Sequence, residues 1–94
     1  MFLQEMNVAM TEIVLKFSTS GIKGSFIQVH FRERDFFPSD SFALAYNENK
    51  IKLNLNKAHR IVSKDLFRIL QPNVGEEIII KKDSDYNYTV ISNE

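Results

Sequence analysis

The stretch SFALAYNENKIKLNLN, residues 41–56, constrains this chain more than any other. Phe42, Leu44 and Tyr46 alternate with Ala43 and Ala45, and Ile51, Leu53 and Leu55 alternate with Lys52, Asn54 and Asn56. Period-two alternation sends successive side chains to opposite faces, so each run reads as a strand with one buried side. The Asn-rich link between them tolerates the left-handed backbone that a tight turn needs. The spacing predicts a hairpin of strands at 41–46 and 50–56, whose second strand turns a polar, basic face outward.

The alternation recurs. TEIVLKFS places Ile13, Leu15 and Phe17 on one face, and SFIQVHF places Ile27, Val29 and Phe31 on another. STSGIKG between them is a two-glycine turn cluster, so strands at 11–18 and 25–32 read as a further hairpin. RERD reads as a solvated charge run, and Pro38 disfavours a helical Phe37, leaving FFPSD as a loop. KAHRIV fits either a strand extension or a loop.

Beyond it, Ser63 is a good N-cap and Asp65 suits the first turn of a helix. Leu66, Ile69 and Leu70 form a buried stripe, with Lys64 and Arg68 on the opposite side, and Pro72 and Gly75 end the element. EEIIIKK predicts a strand at 77–82 that is apolar on both faces, through Ile78 and Ile80 on one and Ile79 on the other. Such a strand is central or lies against a second subunit. YNYTVI returns as a strand at 86–91.

The expected fold is mainly β (α+β): a small barrel or strongly curved antiparallel sheet of about six strands, with one short helix near 63–71. Ninety-four residues form one domain, 1–94, in which residues 1–10 are a flexible or helical arm. Without Cys the chain has no disulfide or thiolate chemistry. It carries no apolar run of the roughly 18 residues a membrane span needs. Its first residues have no basic region and include Glu5. A cytoplasmic protein with no membrane association is the expectation.

Catalytic patterns are missing. Gly21 and Gly24 do not make a phosphate loop, no GxSxG elbow occurs, and His30 and His59 are the only histidines. Glu76, Glu77, Asp83 and Asp85 read as solvated carboxylates. No catalytic residue, metal or cofactor is expected, and the chain does not read as an enzyme. His59 beside Lys57 and Arg60 leaves open a third reading, a small metal-independent RNase-like toxin.

Charge narrows the options further. The net charge is zero, yet residues 50–68 carry Lys50, Lys52, Lys57, Arg60, Lys64 and Arg68 against Asp65 alone. Lys on an edge strand can serve only to block aggregation. The alternative is a phosphate-contacting face of Lys52, Asn54, Lys57, Arg60, Lys64 and Arg68, since Lys, Arg and Asn suit phosphates and base edges. DNA is then the expected ligand. The runner-up is a protein-interaction or inhibitor module that displays Phe36 and Phe37 in their loop. Ile79 is the candidate contact of a homodimer. A basic stripe that converges in space together with a buried Phe pair would favour nucleic acid; a solvent-exposed stripe with an exposed Phe pair would favour a protein partner.

IVSKDLFRILQPNVGEEIIIKKDSDYNYTVI also resembles the strand–helix–strand unit of swapped-hairpin and pseudobarrel proteins, which include AbrB-type regulators, MazE-type antitoxins and the plant and restriction-enzyme pseudobarrel DNA readers. The residues that carry the resemblance are Val62, Ser63, Leu66, Arg68, Leu70, Gly75, Glu76, Ile78 and Ile80, about a third of the chain. Ser63 stands where these proteins usually have Pro. The resemblance implies a small bacterial or phage-like DNA-binding barrel, although the same unit occurs in double-psi barrels that bind proteins or serve as enzyme subdomains.

Overall fold

The computed structural model describes residues 11–92, so the expected N-terminal arm lies outside the described residues. Seven strands, two short α-helices and one 3-10 helix follow one another as β1 (Glu12–Lys16), α1 (Thr19–Gly24), β2 (Phe26–Gln28), the 3-10 helix (Phe31–Phe36), β3 (Phe42–Tyr46), β4 (Asn49–Leu53), β5 (Arg60–Val62), α2 (Lys64–Leu70), β6 (Glu77–Ser84) and β7 (Asn87–Ser92). The mainly β, α+β class is as expected. The sheet is mixed: five strands run in the order β1-β6-β7-β3-β4, and β2 and β5 form a second, two-stranded sheet.

The 41–56 hairpin forms, but its second strand is shorter than the alternation predicts: β4 spans Asn49–Leu53, and Leu55 makes only an isolated bridge to Ile61. Phe42 pairs with Leu53 and Tyr46 with Asn49 across a two-residue turn, in which Asn47 takes φ 56°. The first predicted hairpin does not form. β1 pairs antiparallel with β6, placing Val14 opposite Ile79, while β2 pairs with β5. Alternation fixes which face of a strand is buried but not its partner. STSGIKG is the short helix α1, not a turn: the Ser18 hydroxyl accepts from the Gly21 amide at 2.9 Å. Gly21 is needed there because a β-carbon would run into the Phe26 carbonyl oxygen.

α2 forms where predicted, but its buried face differs by one residue: Phe67 is buried and Ile69, expected in the stripe, is only partly so. The Ser63 hydroxyl accepts from the Leu66 amide at 3.1 Å, and Leu66, Phe67 and Leu70 are buried. They meet Ile13, Leu15 and Phe17 of the β1 end, Ile78 and Ile80 of β6, and Ile27 and Ile61 of the small sheet in one core. Phe17 and Phe67 touch edge to face at 5.5 Å. β7 lies between β6 and β3, antiparallel to the first and parallel to the second. Its Tyr88 sits under Phe36, Phe37 and Phe42, with ring centroids 5.4, 5.2 and 5.0 Å away. No helix among the described residues is long and apolar enough to cross a membrane.

Candidate nucleic-acid interface

The basic segment maps onto one continuous path: edge strand β4, a tight turn, β5 and α2. On β4, Ile51 and Leu53 point inward and Lys50 and Lys52 are exposed. A cleft between β4 and the start of α2 is lined by Asn49, Lys50, Lys52, Ser63, Asp65 and Arg68. Lys52 and Arg68, drawn from different predicted elements, therefore share a cleft. Arg68 is tempered there by its ion pair with Asp65, at 2.9 Å on an exposed surface. Lys64 and Asn54 are exposed on α2 and just beyond β4.

The second group lies at the turn. Leu55 bridges Ile61, and the Asn56 side chain accepts from the amides of Ala58 and Arg60 at 2.9 and 3.0 Å. The turn closes through His59 at φ 61°, a left-handed geometry uncommon outside Gly but one that His, like Asn and Asp, adopts more readily than most residues. Gln28 of β2 clamps it from the side. Its Nε2 donates to the carbonyls of Ala58 and His59 at 2.9 and 3.1 Å, and its Oε1 accepts from Arg60 Nε at 2.9 Å. The Arg60 guanidinium stacks 4.2 Å over the Phe26 ring. Arg60 is thus held in place while its residue remains exposed. Lys57 does not join Lys52: it lines a different depression with Arg34, Pro38 and Asn56.

The predicted protein-binding residues behave differently. Phe36 and Phe37 are each only 5% exposed, so the loop does not display them. The 3-10 helix turns both rings inward onto Phe42 and Tyr88, and Phe37 takes the extended backbone that Pro38 imposes, φ −106° and ψ 149°. Ile79 is half-buried on the outer face of the large sheet, opposite Val14. His30 is exposed and accepts from the Arg32 amide at 3.2 Å, capping the 3-10 helix.

Three contributors escaped the sequence reading. Phe31 was expected on the buried face with Ile27 and Val29, but it is 63% exposed because the strand stops at Gln28 and the 3-10 helix begins at Phe31. Arg34, inside the supposed solvated run, stacks on Phe31 at 4.3 Å. Gln28 looked like an ordinary outward strand residue. Its role depends on the β2–β5 pairing, which alternation does not reveal.

No protein-family model matches this chain. No curated protein matches it in sequence. Among solved structures it is similar to the N-terminal domain of Helicobacter pylori LlaJI.R1, with a TM-score of 0.66 and 12% identity over 86% of this chain and 85% of that one. At that identity the likeness is one of fold: the arrangement of strands and helices is shared across nearly the whole of both chains.

Proposed function

We propose that this chain is a non-enzymatic DNA-binding module that contacts phosphates through the path β4–turn–β5–α2. The observation that carries the reading is the exposure of Lys50, Lys52, Lys57, Arg60, Lys64 and Arg68 along that path, with Asp65 as the one acid within it. Cations on a sheet edge and a neighbouring helix suit a polyanion, whose binding is driven by counterion release. Burial of Phe36 and Phe37 removes the anchor that the protein-partner reading needed. The fold shared with the LlaJI.R1 N-terminal domain and the resemblance of the sequence over β5, α2 and β6 to pseudobarrel DNA readers support the assignment. His59 closes a turn and lies near Phe31, a structural place that supports the non-enzymatic reading.

The test is a titration with mixed-sequence duplex DNA at low and moderate salt. Binding is expected at low salt, with log affinity falling against log salt by roughly 0.9 per phosphate contacted. Alanine at Lys52, Lys57, Lys64 or Arg68 should each flatten that slope with little change in melting temperature. Absence of binding at low salt rejects DNA, and a partner recovered from nuclease-treated lysate would then favour the protein-binding module.

A further inference from the structure

We propose that Phe31 is a stacking surface for an unpaired nucleobase, set beside Arg34 and the His59 of the 56–60 turn. The inference rests on the DNA-binding reading and adds which form of DNA the site prefers. Among the described large apolar residues held exposed, Phe31 is the most open, at 63%. Five other phenylalanines, Phe17, Phe36, Phe37, Phe42 and Phe67, are buried.

The ring is presented by ordered backbone. Phe31 opens the 3-10 helix, which is secured by the Glu33 amide donating to the His30 carbonyl at 2.8 Å and by the His30 ring cap on Arg32. The Arg34 guanidinium lies 4.3 Å from the ring centroid. The His59 ring is 6.0 Å away and inclined by 53°, so it flanks Phe31 and is not stacked on it. Arg34 also shares a depression with Asn56 and Lys57. Arg34 thus links the exposed ring, which the His59 imidazole flanks, to a depression that holds Lys57 and also Asp35, the ion-pair partner of Arg34 at 3.8 Å. Grooves that hold unpaired nucleic acid use this combination: cations follow the backbone and aromatic rings take the π-faces of bases.

A base inside a duplex stacks on its neighbours and offers a protein only its edges. Phe31 would gain contact only from a base with a free face, whether extrahelical or in a single strand. If the Phe31–Arg34 pair were surface packing alone, paired and unpaired DNA would bind alike.

The experiment compares two duplexes of one sequence, one fully paired and one with 2-aminopurine facing an abasic site, together with the corresponding single strand. The parent should bind the unpaired-base duplex roughly tenfold tighter, within the range for one base–aromatic stack, and quench its emission. Phe31→Ala should bring the ratio of the two affinities to about one, and Phe31→Trp should restore it. Stronger binding of the single strand than of either duplex, lost in Phe31→Ala, also supports the stacking role and assigns it to single-stranded DNA. Equal affinities for the parent, or a ratio unchanged in Phe31→Ala, overturn the stacking role while paired-duplex binding leaves the DNA reading standing. Failure of all three ligands to bind at low salt removes both.

Discussion

The Tyr88 hydroxyl donates a hydrogen bond of 2.6 Å to the Phe36 carbonyl oxygen, joining β7 to the end of the 3-10 helix inside the core. Burial, and secondarily the Asp85 carboxylate, push the Tyr88 phenol up from 10.0 to about 12. Tyr88→Phe keeps the ring packing but leaves a buried carbonyl without its donor, which costs about 1–3 kcal/mol. The pH dependence has a definite sign. Between pH 10 and about 12 the unfolded chain gives up this proton and the folded chain keeps it, so the contribution is complete below pH 10 and is lost as pH rises towards 12. Denaturant melts of parent and variant should show a difference that shrinks over that window.

Phe37→Ala should cost about 3–5 kcal/mol, a large fraction of the stability of a domain of this size. Phe37 stacks on Phe42 at 4.9 Å and meets Phe36 edge to face at 5.1 Å, and the small side chain would leave a cavity among them. Thermal melting decides the matter. A variant that melts like the parent would show that this ring is not a core residue.

Asp65→Asn should strengthen DNA binding. The substitution removes the one acid of the basic path and releases Arg68 from its 2.9 Å ion pair. An exposed pair of this kind contributes at most about 1 kcal/mol to stability, and the lost first-turn charge of α2 about 0.3–1 kcal/mol, so the fold should persist. Affinity at low salt should rise several-fold, and the salt slope should steepen by up to about 0.9. A fall in affinity without loss of helix would place the phosphates elsewhere.

Ile79→Lys addresses the homodimer expected from the doubly apolar β6. Ile79 lies on the outer face opposite Val14, itself 50% exposed, while Ile78 and Ile80 fill the core. The charge should therefore be tolerated, with a loss of stability below about 1.5 kcal/mol. Sedimentation of the parent at micromolar concentration tests the dimer, which remains a proposal. A dimer that the substitution dissociates without unfolding would assign the contact to this face, and a parent sedimenting only at 10.9 kDa would remove it.

Much of the local structure was readable because it depends on neighbours in sequence. The Asn47 turn, the Ser63 cap and two of the three stripe residues, Leu66 and Leu70, declare themselves within a few residues, whereas Phe67 takes the buried place expected of Ile69. What escaped depends on partners far along the chain. β1 finds β6 some sixty residues later, and β3 lies parallel to β7, neither of which alternation can encode. α1 contains two glycines and only six residues, so its existence owes more to the Ser18 cap and to its setting than to helix propensity. For the site, the charge of residues 50–68 was visible as composition. The placing of Lys52 and Arg68 around one cleft, the separate placing of Lys57, and the exposure of Phe31 emerged only once the strands and helices had positions in space.

The placing of β7 between β6 and β3 has a consequence for how the chain is made. The β3–β4 hairpin, on which Lys50 and Lys52 ride, has no neighbour in the large sheet except β7, and β1 with β6 reaches that hairpin only through the same strand. On the ribosome, two half-sheets must wait until residues 87–92 have emerged before they can be joined, with the free flanks of β3 and β6 open meanwhile to strands from other nascent chains. Such long-range closure is slow to form. The basic face is therefore completed late in synthesis, and conditions that slow the docking of β3 on β7 should lower the yield of folded protein.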